Sequence, residues 1–248
     1  MSRLSVMLAI GTVTARGLVG RRRTLLMLLV AGAPVILGAF LRIGNAGPRP
    51  NRLEPSLEGL LVSSVMPLVA LVFGTAALGA ELDDGTAIHI LTKPIPRWTI
   101  ILPKLVVAGG LSAGLLVVST ILSGALIGGL GQNELQITTA FAVGVAIGSF
   151  LYVSIFLALS AATSRGLIIG LAYALVWEGL LAGALPGTQL LSVREYVRGI
   201  VSALAPPDTP GLSSVVGSQG FLYAGVALVV ITVLASLRLG VYQVRSVD

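Results

Sequence analysis

The residues able to do chemistry in this chain are few, and most of them lie in one stretch. Between Gly79 and Lys104 the sequence GAELDDGTAIHILTKPIPRWTIILPK carries Glu81, Asp83 and Asp84, then His89 (the single histidine), then Lys93, Arg97 and Lys104. Acids, then apolar residues, then cations make a surface for ionic and apolar contact, not a catalytic constellation. Asp83 or Asp84 suits the N-cap of a short helix through Thr86, Ile88 and Leu91, because a carboxylate accepts from the free amides of a first turn. Pro94 stops that helix, since it supplies no amide and biases the residue before it away from helix; Pro96 repeats the break. A short helix, charged at one end and apolar on one side, is suited to docking. The plainer alternative is a solvated loop whose ions contribute at most about a kcal/mol. His89 reads as a surface residue of that helix, not as a ligand or pH sensor.

The other chemically notable residue is Glu178, in YALVWEGLLAG, the one acid deep inside an apolar run. A carboxylate in hydrocarbon is costly unless paired, protonated or facing water, which makes it a functional candidate by default. It could line a translocation path or bind a cation, with Trp177 beside it as part of the wall. The alternative is a structural hydrogen bond to a neighbouring Ser, Tyr or carbonyl, with Trp177, Tyr152, Tyr173 and Tyr223 as packing or interfacial residues. Glu58 sits near a span end, at headgroup level. Catalysis itself finds little support. There is no HExxH, no GxSxG and no pair of intramembrane acids, and one histidine with no cysteine leaves few nucleophile or metal arrangements. No G-x-x-x-x-G-K-[ST] occurs, so the chain has no P-loop for ATP.

The elements that position these residues are membrane spans. Of 248 residues 55% are hydrophobic and 10% charged, outside the range of ordinary soluble domains. Several uncharged runs exceed the roughly 20 residues that cross a bilayer core. The expected fold is all-α and polytopic, a single transmembrane domain over 1–248 with six transmembrane helices. These run from about Thr24 to Leu41 with Pro34 inside, Leu57 to Ala80 with Pro67 as a kink, Ile100 to Leu130, Leu135 to Ala162, Gly166 to Leu185, and Gly220 to Leu237. Residues 1–23, with Arg3, Arg16, Arg21, Arg22 and Arg23 around Leu4, Met7, Leu8 and Val13, are too short and basic to span, and predict an interfacial amphipathic helix. A retained first span is favoured over a signal peptide.

Lys and Arg distribution orients the chain. With the N-terminus inside, the N-terminal arginines, Lys93, Arg97, Lys104, Arg165, Arg238 and Arg245 are inside, against Arg42, Arg49, Arg52, Arg194 and Arg198 outside. Both termini and the 81–97 loop are then cytoplasmic, and 186–219 is an extracytoplasmic loop. Within it Leu190, Val193, Val197, Ile200, Val201 and Leu204 share one helical face, and Pro206, Pro207 and Pro210 end the pattern. This predicts an outer amphipathic or re-entrant helix before the last span, or a plain surface helix packed on the bundle. The spacings Gly110/Gly114, Gly124/Gly128 and Gly144/Gly148 permit close helix approach, within one chain or across a dimer.

The polar loop also resembles a known pattern. Glu81, then Gly85 and Thr86, then Leu91, Thr92, Lys93, Pro94, Ile95, Pro96 and Arg97, and later Lys104, is similar to E-x-x-x-G-T…L-[ST]-x-P-[VI]-x-R…K. That pattern lies between the second and third spans of permease subunits of type-2 ABC exporters in bacteria. The motif covers about 25 residues; the similarity in topology covers the whole chain. The resemblance implies a permease that pairs with a second, identical or similar, permease and with two separate ATP-binding cassette subunits, which hold the ATP and Mg; this chain would bind no cofactor and no nucleic acid. It implies that the loop is the coupling helix seated in a groove of the ATPase, with Glu81, Gly85, Thr86, Pro94, Arg97 and Lys104 transmitting motion. Asp83, Asp84, Ile88, Ile90 and Leu91 would form the contact, and Glu81 with Arg97 or Lys104 would pin the loop ends. Lys93 stands where many members have a small polar residue. Pro67 and Pro103 are the expected bend points.

The expected function is export of an amphiphile (drug, lipid or peptide) across a bacterial plasma membrane. A secondary transporter or channel would instead show repeated broken spans and several intramembrane charges, and an anchor protein would need no patterned loop.

Overall fold

The computed structural model describes residues 3–44, 47–83, 96–163, 165–181, 187–207, 209, 211–212 and 214–245, and every ordered element among them is helical. Helix α1 is Arg3–Leu18 and α2 is Arg21–Gly44. A continuous rod follows, made of α3 (Pro50–Ser56), a π-helical segment Leu57–Val65, and α4 (Met66–Asp83). The two longest helices are α5 (Trp98–Ile127) and α6 (Gln132–Ala162), each about 45 Å at 1.5 Å per residue. Then come α7 (Gly166–Ala172), continuing into a second π-helical segment Tyr173–Leu181, α8 (Val193–Leu204) and α9 (Gly220–Arg245).

Among the described residues five helices are long and apolar enough to cross a bilayer: Leu25–Gly44, Pro50–Leu78, Trp98–Ile127, Gln132–Ala162 and Gly217–Leu239. The expected fifth span is shorter than anticipated, an apolar helix over Gly166–Leu181 that measures about 24 Å at most; 182–186 lie outside the described residues. The second span starts at Pro50, seven residues before the expected Leu57. A proline at the first helical position loses no hydrogen bond, so the Pro- and Asn-rich stretch nucleates helix instead of prolonging a loop. The third ends at Ile127 because Gly128 and Gly129 follow, Gly129 in the left-handed region at φ 95°.

Burial ranks the spans. In Pro50–Leu78 67% of the apolar window is buried, against 17% in Gly217–Leu239, so the former is the centre and the latter the rim. Leu57, Leu61, Val62, Met66, Val69 and Ala70 are fully enclosed, while α9 turns Leu222, Val226, Val229 and Leu237 outward. An apolar exterior of this kind suits hydrocarbon, and no water-facing domain would carry it. Helices α2 and α5 run in the same direction, linked by the Ser119 hydroxyl on the Ala31 carbonyl and by Arg42 Nη1 on the Ala125 carbonyl at 3.2 Å.

Glycines set the closest approaches. A Cβ at Gly109 would strike the Phe150 ring, one at Gly124 would strike Thr138, and one at Gly148 would stand 2.6 Å from Val197 and 2.9 Å from the Met66 sulfur. The Gly124/Gly128 and Gly144/Gly148 pairs are therefore contacts within the chain, whereas Gly110 and Gly114 meet nothing within 4 Å and face outward. Helix α1 lies against α5, with Gly11 over Pro103 and Val107. It buries Thr14 and Leu18 but exposes Leu8 and Val13, so its two faces are not cleanly segregated.

Candidate functional site

Of the four buried charged residues among those described, Lys104 and Glu178 are the most enclosed. Lys104, on α5, is fully enclosed, and its ammonium donates to the Ala77 carbonyl of α4 at 2.6 Å. Ala77 precedes the end of α4 by six residues and Lys104 follows Arg97 by seven, so the bond lies about 10 Å from either end of the polar loop. Lys104 thus stands inside the bundle and not on a docking surface. Arg97 is half-buried at the start of α5, where its carbonyl accepts from the amides of Ile100 and Ile101 at 3.0 and 3.1 Å. Glu81 and Asp83 occupy the last turn of α4. Asp84, Gly85, Thr86, Ile88, Ile90, Leu91 and Pro94 lie outside the described residues, as does His89.

Glu178 is 4% exposed. Its Oε2 accepts from the Ser192 hydroxyl at 2.6 Å, and its Oε1 from the Val193 amide at 2.9 Å and the Tyr173 hydroxyl at 3.2 Å. Ser192 is the N-cap of α8 and accepts in turn from the Glu195 amide at 3.3 Å. The carboxylate therefore sits at a helix N-terminus, where unpaired amides and the helix dipole favour negative charge. The hydrogen bonds to Ser and Tyr are those that the sequence offered as one of the two possibilities for Glu178. Ser192 could have been found in advance, since S-V-R-E is a capping box placed just before an apolar run. Trp177 is half-buried beside Glu178.

The helix so capped is the amphipathic one. Val193, Val197, Ile200 and Val201 are buried as the pattern predicts, together with Tyr196, while Leu190 and Leu204 stay exposed because they lie at or beyond the helix ends. Val197 meets Gly144 and Gly148, and Gln136 Nε2 donates to the Leu204 carbonyl at 3.2 Å. Helix α8 thus runs antiparallel along α6, and its first turns pack beside Gly148, about 24 Å from the Gln132 end. Glu58 holds the polar side of α8. Its carboxylate pairs with Arg194 at 3.0 Å and Arg198 at 3.1 Å, and Arg198 pairs with Glu195 at 3.0 Å. From sequence Glu58 read as an ordinary headgroup-level residue; a contact across 136 positions left no local signal.

Between the two π-helical segments lies a cavity of about 280 Å³, bordered by Ser63, Ser64, Pro67, Tyr152, Glu178 and Arg194 among others. Pro67 has no amide to give, so it withholds one hydrogen bond from the turn that carries Ser63 and Ser64. Among the described residues no group of three or more His, Cys, Asp or Glu is placed to hold a metal ion.

No individually curated protein matches the chain. Residues 21–178, more than half of its length and including both the polar loop and Glu178, match the sequence profile of the ABC-2 family transporter proteins. The described residues are helical, with several helices long and apolar enough to cross a bilayer, and the chain belongs to the ABC-2 transporter family as a membrane permease component.

Proposed function

We propose that this permease component serves an ATP-driven exporter in a bacterial plasma membrane, with both termini and the 81–97 loop in the cytoplasm. Two permeases, identical or similar, form the translocation path at their interface. Two separate ATPase subunits hold ATP and Mg and engage the loop through Asp83, Asp84, Ile88 and Leu91. The cargo is an amphiphile: a drug, a lipid or a peptide. The observation that carries this reading is the Lys104–Ala77 bond. A loop that is to work as a lever needs both of its helices to move together, and this bond couples α4 to α5 near the loop base. Pro67, ten residues beyond Ala77 on α4, and Pro103, next to Lys104 on α5, are the points where that motion bends the spans. Helix α8, beginning beside the middle of α6, is then a re-entrant element entering from the outer face before the last span.

The test is made in the reconstituted complex. Substitution of Asp84 or Ile88 is expected to leave basal ATP hydrolysis in place and to abolish its stimulation by cargo. Unchanged stimulation across several such substitutions would remove the loop from the mechanism. Labelling that placed residues 81–97 on the outer face would do the same.

A further inference from the structure

We infer that the cavity between the two π-helical segments binds the uncharged, hydrogen-bond-accepting head of an amphiphile, whose chain lies outside along the apolar face of the Gly166–Leu181 helix. The inference rests on the permease reading for its setting, but its evidence is local.

The π-helix is rare, well under one residue in a hundred, and is concentrated at functional sites. Among the described residues there are two π-helical segments, and both border this cavity: one supplies Ser63 and Ser64, the other Ala174, Leu175, Glu178 and Gly179. The wider π turn disturbs the regular packing of side chains and leaves room where two straight α-helices would close. Polar groups at this depth are costly in hydrocarbon unless they meet a partner. Ser64 is nevertheless exposed, and the hydroxyl of the fully buried Tyr152, although the Glu178 carboxylate is near it, makes no hydrogen bond of normal geometry. Arg194 Nε is likewise buried without a partner. The unused groups are thus mostly donors.

The charges in the wall are already met. Glu178 takes three donors, and the Arg194 guanidinium is paired with Glu58. A cationic head would find a carboxylate that is engaged, and an anionic head would lie against that same carboxylate. An ester or hydroxyl head meets neither obstacle and answers the free donors. Size sets the second limit. About 280 Å³ is small beside the roughly 300–1,000 Å³ of pockets that enclose whole ligands, so the site takes a head and not a chain. Leu175 and Gly179 border the cavity and are themselves exposed, on the same helix as exposed Leu171, Val176 and Leu180, where an alkyl chain can lie.

Trp177 gives the readout, since the chain has two tryptophans and Trp98→Phe leaves it alone. The full-length W98F chain in lipid nanodiscs, without ATPase, is titrated with three probes of one brominated chain: a monoacylglycerol, a fatty acid and an alkyl trimethylammonium. The monoacylglycerol is expected to quench Trp177 saturably, while the two charged probes quench only in proportion to their amount in the bilayer. Tyr152→Phe, which keeps the ring stacked on Phe156, should weaken the saturable phase roughly tenfold, the worth of one good hydrogen bond. Ser64→Ala should act in the same direction. Equal, unsaturable quenching by all three probes overturns the inference, as does a saturable preference for a charged head or indifference to both substitutions. Because no ATPase is present, a failure here leaves the loop experiment standing, and a failure there leaves this one standing.

Discussion

Glu178 and Glu58 both reach helix α8 from another helix, yet each is met by a different kind of partner. Glu178, 4% exposed, is held by a hydroxyl, a backbone amide and a phenol, all neutral. Glu58 is held by two guanidinium groups whose side chains keep 34% and 24% of their surface open. A long cation drawn fully into the interior loses its hydration, and its attraction to the carboxylate only partly offsets that cost. Fixed neutral donors at a helix end lose little, because they are already in place. The deep carboxylate is therefore tied by preorganised groups, and the shallower one by mobile charges.

The largest effect that would test this contrast is Glu178→Leu. It leaves the Ser192 hydroxyl, the Val193 amide and the Tyr173 hydroxyl without their acceptor, at about 1–3 kcal/mol for each buried group. A loss on the order of 3 kcal/mol or more is expected in thermal unfolding of the detergent-solubilised protein, while Glu178→Gln, which keeps one acceptor oxygen, should lose less. A Leu variant as stable as the parent would mean that the cap carries no weight. Next comes Gly148→Ala. Its Cβ collides with Val197 and Met66, so α8 must move off α6, at about 1–3 kcal/mol; an unchanged melting temperature would place α8 elsewhere.

Glu58→Gln should cost less, about 1 kcal/mol, because Arg194 and Arg198 can turn to water. The loss should shrink as salt is raised, whereas that of Glu178→Leu should not; equal salt dependence would erase the distinction between the two sites. Smallest of all is Gly114→Ala, which meets nothing within 4 Å and should change the stability of the single chain by less than about 0.5 kcal/mol. A large loss there would show that this glycine is covered in the folded protein.

The local patterns were legible in the chain from the start. The apolar runs of α2, α5, α6 and α9, the alternation that buries Val193, Val197, Ile200 and Val201, and the polar break after α4 each depend on residues within a few turns of one another. Where expectation and structure part, a short-range effect was misjudged, as with Pro50 opening a helix, or a long-range partner was invisible. Lys104 illustrates the second case. Its place in the motif implies a part in pinning the loop ends, but its full enclosure against α4 and its bond to the Ala77 carbonyl depend on packing between helices.

Composition and periodicity alone determined that the chain is helical, apolar-faced and broken by one patterned loop, because hydrophobic period and bilayer length are properties of consecutive residues. Only the tertiary structure decided that Glu178 caps a helix beginning at Val193, that Glu58 meets arginines 136 and 140 positions away, and that two π-helical segments enclose a cavity between them. Each of these depends on which faces of distant helices are brought together, and that choice is made by the packing of the whole bundle.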